Sequence, residues 1–574
     1  MTSFRLPGLV GLVSLLCSVV TAQSNSTSSH AALPQVDLGY EVHQAISFNQ
    51  TGQTYNFSNI RFAQPPIGNL RFAAPVPPTG RDPVVQNGSV GRVCPQAFPD
   101  WYTLALELEA AILTGNLSSY NYTANNEALQ AYLAATPHTD QTDGRVTEDC
   151  LFLDVLVPKA VFDKRSSHGQ QSGGAPVVVW IYGGGYVIGS KGSNGNPSGL
   201  VKASQANGED GIIYVALNYR LGALGWLAGP TFQGSGGTAN AGLYDQRLAI
   251  EWVAKYISLF GGDPKKITLL GESAGGGSIV HQITAFGGDR GVSFQRAITQ
   301  SAGYDPVGTA FAAENFTTNY FSLLNVSTLA EARQKSTAEV ILANTIQVEN
   351  SFPYGSFTYG PMVDGLIIPE LPGRLLSEGR FAKNISVMDG HNSFESASFT
   401  PPYLVTEADF RYWLREVYSG ITDDALNYLL NTLYPAKYDG SQSYTTPLGR
   451  AFLMVQEMVF VCNTYYLNKA FNGTSYAYDF VVPPGFHAID VPYTFYNGGG
   501  TNLTAGLIAP VALELQGYLV NFAMHGNPNG PSLPYFPPYG TNASMQVIDW
   551  NSTTQAPHDA NNPRCAWWQK GLFA

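Results

Sequence analysis

A serine between glycines, in Gly271-Glu272-Ser273-Ala274-Gly275, is the group in this chain whose surroundings best suit covalent chemistry. The G-x-S-x-G pattern serves a sharp turn from strand to helix, where small neighbours avoid collision and the serine Oγ is left exposed at the strand end. Ile267 to Leu270 reads as a buried strand before the turn, and a glycine-rich helix start follows it. A serine hydroxyl is a poor nucleophile until a base takes its proton, so a histidine must reach it. Nine histidines are available. His281 lies on the same helix, about 12 Å further along at the helical rise, and reads as a packing residue. His525 reads as a helix-end residue before a turn, and His30, His138, His168 and His558 sit in polar, loop-like surroundings. His487 differs, because it follows the strand-like run Tyr476 to Val482 through a Pro-Pro-Gly turn. A loop at a strand end can bring it to a nucleophile on another strand.

The imidazole needs an acid to orient it and to stabilise its protonated form. In the chain order nucleophile, acid, base, Glu395 is the first choice, in Asp389-Gly390-His391-Asn392-Ser393-Phe394-Glu395 just beyond the strand Ile385 to Met388. Asp389 is the alternative. Asp245 precedes the serine and is expected to pair with an arginine such as Arg220, while Glu272 is expected to tune the local field without orienting the histidine. Attack on a carbonyl creates an oxyanion, which needs preorganised N–H donors. Gly183-Gly184-Gly185, after a strand ending at Tyr182, can present backbone amides without obstruction, and Ala274 adds another. Together these residues suit acyl transfer, with the Gly183-Gly184-Gly185 turn and Ala274 offering the oxyanion donors.

Such a site needs strands ending side by side. Val177 to Tyr182 and Ile212 to Leu217 are short, β-branched, continuously apolar runs, as expected of strands covered on both faces. Tyr244 to Phe260 places Leu248, Trp252, Val253, Tyr256, Ile257 and Phe260 on one helical face, and Gly261-Gly262 ends it. Strand, helix, strand in this order predicts an α/β fold with a large, mostly parallel central sheet, helices on both faces and long decorating loops.

With 574 residues, 44% of them apolar and 13% charged, the chain can bury a large core. No Pro/Gly/Ser-rich linker divides it, which predicts a single catalytic domain over residues 23–574. A net charge of −12 without a run of Lys or Arg argues against nucleic acid or anionic membrane as partner, so an uncharged substrate is expected. Residues 1–22 have the pattern of a cleaved secretory signal: Arg5, an apolar stretch from Leu9 to Val20, and small residues at Val20 and Ala22. No later segment approaches a membrane-spanning length, and Trp567 to Ala574 is no lipid-anchor signal. Extracellular localisation is supported by glycosylation triplets at Asn25, Asn49, Asn56, Asn87, Asn116, Asn121, Asn315, Asn325, Asn384, Asn472, Asn502, Asn542 and Asn551. Loss of Cys17 with the signal leaves Cys94, Cys150, Cys462 and Cys565, for which two disulfides in any of three pairings are expected. No metal or organic cofactor is called for.

The chain resembles the type-B carboxylesterase and lipase family, which includes cholinesterases and fungal triacylglycerol lipases. The resemblance runs through Arg61 to Pro78, Glu148 to Val155, Trp180 to Tyr186, Asn218 to Gly225, Gly242 to Gln246, Phe260 to Gly276 and the segments around Glu395 and His487. It implies an α/β-hydrolase fold, carboxylic ester hydrolysis, Ser273 as nucleophile, Glu395 as acid and His487 as base. It also implies Gly184, Gly185 and Ala274 as oxyanion donors, and the disulfides Cys94 to Cys150 and Cys462 to Cys565. The chain departs from the family at Ser396, where glycine is usual, and in the length of the 94–150 segment. That segment carries two expected helices. One has Trp101, Leu104, Leu108 and Ile112 on one side, Asp100 as cap and Gly115 after it; the other begins near Asn126 and carries Leu129, Tyr132 and Leu133. It is expected to be either a disulfide-tied lid over the site or a packed surface excursion. Within the family the expected alternatives are a triacylglycerol lipase, an esterase for a secreted metabolite and a non-catalytic binding or adhesion protein.

Overall fold

The computed structural model describes residues 33–136, 143–165, 173–304, 309–498 and 506–573. The signal pattern of residues 1–22, Asn25, Asn502, His30, His138 and His168 lie outside them.

The continuously apolar runs become strands buried on both faces. Ala175–Ile181 and Ile213–Leu217 pair in parallel, and their valines, isoleucines and leucines are almost wholly shielded from water. Each such side chain contributes about 1.5–3 kcal/mol on burial. Around them forms an eleven-stranded sheet. Its order from one edge is Thr553–Pro557, Ser544–Ile548, Tyr476–Phe480, Ser386–Asn392, Arg296–Gln300, Gly262–Glu272, Ala175–Ile181, Ile213–Leu217, Phe152–Pro158, Thr54–Arg61 and Ser47–Asn49. The middle of the sheet, from Ser544–Ile548 to Ile213–Leu217, is parallel throughout, and antiparallel strands flank it on both sides. A separate three-stranded sheet joins Gln35–Asp37, Val42–Gln44 and Val85–Gln86.

Helices pack around the main sheet. Ala241–Tyr256 and Ala274–Thr284 lie against Gly262–Glu272, Cys462–Ala470 against Ser386–Asn392, and Ala509–His525 against Ala175–Ile181. The helix expected over Tyr244 to Phe260 starts at Ala241 and tightens to a 3-10 turn over Ile257–Phe260, which Gly261 ends in the left-handed conformation at φ 95°.

Buried ion pairs explain several of the motifs. Arg71 forms two hydrogen bonds with Glu148 and donates to the carbonyls of Ala332, Arg333 and Lys335. Arg220 grips Asp245 through Nε and Nη2, as its sequence context predicts. Tyr182 and Tyr219 stack, and each hydroxyl donates to the other's carbonyl, tying two neighbouring strand ends together. The disulfides are Cys94–Cys150 and Cys462–Cys565, the pairing that the resemblance implies.

Of the two helices between Cys94 and Cys150, Trp101–Leu113 buries Trp101, Leu104, Ala105 and Leu108, but Asp100 makes no side-chain capping bond. The second begins earlier than expected, at Tyr122, because Asn121 accepts from the Ala124 amide and caps it. It runs to Ala135 and fully buries none of its residues, but Tyr122 and Leu129 pack half-buried against the core.

Candidate active site

Four parallel strands and the loops after them bring the site together at the carboxyl ends of the strands in the middle of the sheet. The strand Gly262–Glu272 ends in a turn where Ser273 has φ 56° and ψ −124°, strained for any residue with a Cβ. The turn is possible because of its glycines. A Cβ on Gly275 would stand 2.0 Å from the Ile181 carbonyl oxygen, and one on Gly271 would stand 2.8 Å from the Gly275 carbonyl. The helix Ala274–Thr284 then starts immediately.

The next strand but one, Ser386–Asn392, leads into a one-turn 3-10 helix, Glu395–Ser398. Glu395 is wholly buried, and its Oε1 accepts from the Asn392 amide at 2.6 Å. Ser396, the departure from glycine, sits here with ordinary negative φ, since it is absent from the positive-φ residues of the chain. Its amide donates to Gln456 Oε1 at 2.9 Å, so this turn has no need of glycine. The strand Tyr476–Phe480 supplies His487 through the Pro-Pro-Gly turn. This loop is bound to the acid's loop: Ser393 N donates to the Phe480 carbonyl and Phe394 N to the Gly485 carbonyl.

The three side chains meet. His487 Nε2 is 2.8 Å from Ser273 Oγ, and His487 Nδ1 is 2.5 Å from Glu395 Oε2. Phe399 stands edge-on to the imidazole and Phe460 lies tilted against it, with ring centroids at 5.1 and 4.6 Å. Glu272 comes closer than its sequence context suggested, with Oε1 3.3 Å from His487 Nε2. It faces the serine side of the ring and so does not occupy the orienting position. Burial pushes its pKa up to about 8, with Asp490 and Glu395 reinforcing the rise and His487 opposing it. Burial of the imidazole disfavours its protonation, but Glu272, Glu395 and Asp490 outweigh that and raise the His487 pKa above 6.5.

Asp490 is a member of the site that sequence reasoning missed. It is buried, accepts from Gln300 Nε2 at 2.9 Å, Tyr478 OH at 2.8 Å and Asn392 Nδ2 at 3.3 Å, and so braces the His487 loop against three strands. Its only signal in the sequence is that it stands three positions after the histidine. Asp389, the alternative acid, is engaged elsewhere: its Oδ1 accepts from Thr299 Oγ1 and from the Gly390 amide. His281 is buried beside Tyr304, and burial drives its pKa down to about 3 against the opposing effect of the Tyr304 backbone. His525 ends the helix Ala509–His525.

Gly183-Gly184-Gly185 follows the strand Ala175–Ile181 and passes directly over the serine. A Cβ on Gly183 would fall 2.7 Å from the Ser273 Cβ, and one on Gly185, at φ 57°, would fall 2.3 Å from the Phe357 ring. Among the described residues the amides of Gly184 and Gly185 donate no hydrogen bond to the protein. Ser273, Ala274, Gly185 and Tyr186 line one end of a cavity of about 940 Å³. Its wall is largely apolar and includes Phe316, Ile346, Phe357, Trp413, Met458 and Phe460. A histidine held by a carboxyl beside a serine, open amides opposite and an apolar cavity adjoining suit attack on an uncharged carbonyl. Among the described residues no group of His, Cys, Asp or Glu could hold a metal ion, and no helix is long and apolar enough to cross a membrane.

The family model of the carboxylesterase family matches residues 43–568. The carboxylesterase patB of Aspergillus clavatus is 41% identical over 553 residues, covering 96% of this chain and 98% of that one. Lipase 1 of Geotrichum candidum is 32% identical over 430 residues, 71% of each chain. The crystal structure of Aspergillus niger EstA superposes with a TM-score of 0.77 at 24% identity, covering 95% of this chain and all of that one, which shows the shared α/β-hydrolase fold. The chain belongs to the carboxylesterase family and is a carboxylic ester hydrolase.

Proposed function

We propose that the protein is a secreted esterase that works through an acyl-enzyme. His487 takes the Ser273 proton as the oxygen attacks the ester carbonyl, and Glu395 holds the imidazole and stabilises its charge. The amides of Gly184, Gly185 and Ala274 receive the oxyanion, each worth about 3–4 kcal/mol in the transition state. His487 then protonates the departing alcohol, and water repeats the sequence on the acyl-enzyme. The observation that carries this reading is the continuous contact Ser273 Oγ, His487 Nε2, His487 Nδ1, Glu395 Oε2 at 2.8 and 2.5 Å. It also argues against a non-catalytic binding protein, because a site kept only for binding has no use for a strained serine held at hydrogen-bond distance from a histidine.

The apolar cavity favours an uncharged ester substrate of substantial size. The extent of the match to a carboxylesterase, against the shorter match to a lipase, favours an esterase for a soluble compound over an enzyme of oil surfaces. Secretion is supported by the signal pattern of residues 1–22, by the two disulfides, and by the exposure of Asn49, Asn87, Asn116, Asn121, Asn315, Asn325, Asn384, Asn472, Asn542 and Asn551. Asn56, half-buried within the strand Thr54–Arg61, is the poorest glycan acceptor of the described set. A single catalytic domain over residues 23–574 accords with a sheet whose strands come from positions 47 to 557.

The test is hydrolysis of a chain-length series of p-nitrophenyl esters and of emulsified triglycerides, with Ser273→Ala beside the wild type. Turnover of short and medium soluble esters that disappears in Ser273→Ala is expected. Preference for the emulsion would establish the lipase reading, and a silent wild type would reject the acyl-enzyme assignment on these ester classes.

A further inference from the structure

The helix Trp101–Leu113 does more than cover the surface. It packs on the 3-10 turn Glu395–Ser398, and at that junction Ser398 Oγ donates to Glu109 Oε1. Ser398 is buried, and it shares a single helical turn with Glu395. The turn is held from its other side by Gln456, which accepts from the Ser396 amide and donates to the Asn392 carbonyl. Glu109 and Gln456 therefore clamp the acid's turn between them. Trp101, at the start of the same helix, donates from Nε1 to the Ser356 carbonyl at 2.8 Å and packs its ring on Phe357 and Phe399. Phe357 is the ring that closes over Gly185, and Phe399 is the ring against His487.

We propose that Glu109 is a positioning residue for catalysis. Through Ser398 it fixes the turn that aims Glu395 at His487, and its carboxyl joins those of Glu272, Glu395 and Asp490 around the imidazole. The Trp101–Leu113 helix is then a fixed wall of the active site and does not swing away as a lid. Glu109 is partly buried, which raises its pKa, while the Ser398 hydroxyl and His487 act the other way. Tyr102, between Glu109 and Glu272 in influence, is itself pushed up to about 12 by burial and by both carboxyls, so it stays neutral and adds no charge of its own. The proposal rests on the assignment of Ser273, Glu395 and His487.

The experiment uses the full chain with both disulfides intact. Glu109→Ala, Glu109→Gln, Ser398→Ala and the double variant Glu109→Ala/Ser398→Ala are compared with Ser273→Ala on p-nitrophenyl esters, with kcat followed across pH. Glu109→Ala and Ser398→Ala are each expected to lower kcat about tenfold, the scale of one lost hydrogen bond to a charged group, and the double variant to lose no more than either alone. Glu109→Gln keeps an oxygen for Ser398 and removes the charge. It is expected to keep most of kcat while the acid limb of its pH profile moves to lower pH. An unchanged kcat and acid limb in Glu109→Ala, with Ser273→Ala inactive, overturns the positioning role and leaves the catalytic assignment standing. Activity retained in Ser273→Ala overturns both. If Glu109→Ala does not fold, Ser398→Ala and Glu109→Gln decide the matter: additive losses, or a fall in melting temperature with kcat and acid limb unmoved, refute the proposal.

Discussion

Glu272 Oε1 and His487 Nε2 lie 3.3 Å apart, on the side of the imidazole that faces Ser273. The histidine thus has a carboxyl at each nitrogen, Glu395 at Nδ1 and Glu272 at Nε2. Only the first can orient the ring for proton transfer from the serine.

With His487 as the proposed base, its raised pKa should set the acid limb of activity. Attack requires the neutral imidazole, so kcat/KM should fall as pH drops through a midpoint above 6.5. Glu272, protonated below about pH 8, is neutral over most of this limb, so Glu272→Gln should leave the midpoint close to that of the wild type. A pH–rate profile of both proteins measures this directly.

Glu272 also links stability to pH. Its folded pKa of about 8 lies above the ordinary 4.5, so the folded state holds a proton that the unfolded state has released. That contribution is complete below pH 4.5 and is lost as pH rises towards 8. Denaturant midpoints of Glu272→Gln should accordingly decline less than those of the wild type across this window.

Glu395→Gln leaves the size of the side chain and removes the charge that stabilises His487. Kinetics should show a drop in kcat of about 10³–10⁴-fold, with KM changed far less, as for an orienting acid in comparable sites. Asp389→Asn should leave the pH profile in place, since Asp389 bonds to Thr299 and Gly390.

Gly185 combines φ 57° with a Cβ position 2.3 Å from the Phe357 ring. Gly185→Ala should therefore displace the amide that faces the carbonyl and lower kcat by about 10²–10³-fold, the scale of one lost oxyanion donor. Shortening the ring, in Gly185→Ala/Phe357→Leu, should recover part of the loss.

At Ser396 the family's usual glycine should bring no gain. The turn uses negative φ here, so Ser396→Gly adds only freedom to the unfolded chain and is expected to destabilise by about 0.5–1 kcal/mol in thermal or denaturant unfolding.

Much of this was legible in the sequence because strand ends leave local signatures. Gly271 to Gly275 announces its turn through size alone, and the apolar runs at 177–182 and 212–217 announce buried strands. His487 and Glu395 stand out by their place after strands, and the resemblance implies the disulfide pairing. What could not be read is contact between segments distant in the chain. Asp490 is only one more acid in a loop until Gln300, Tyr478 and Asn392 converge on it. Glu109 lies far from Ser398 in sequence, and no periodicity announces their meeting. The second helix of the 94–150 segment starts at Tyr122, ahead of the start expected near Asn126, because Asn121 caps it, a role an asparagine fills as readily as a place in a loop.

The Cys462–Cys565 disulfide closes a covalent ring of chain that contains His487. A single backbone cut anywhere between those cysteines leaves two pieces still joined through sulfur, so the base stays tethered to the body that holds Ser273. Nicked protein should run as two bands only after reduction, and resistance to proteolytic inactivation becomes a property of the bridge itself.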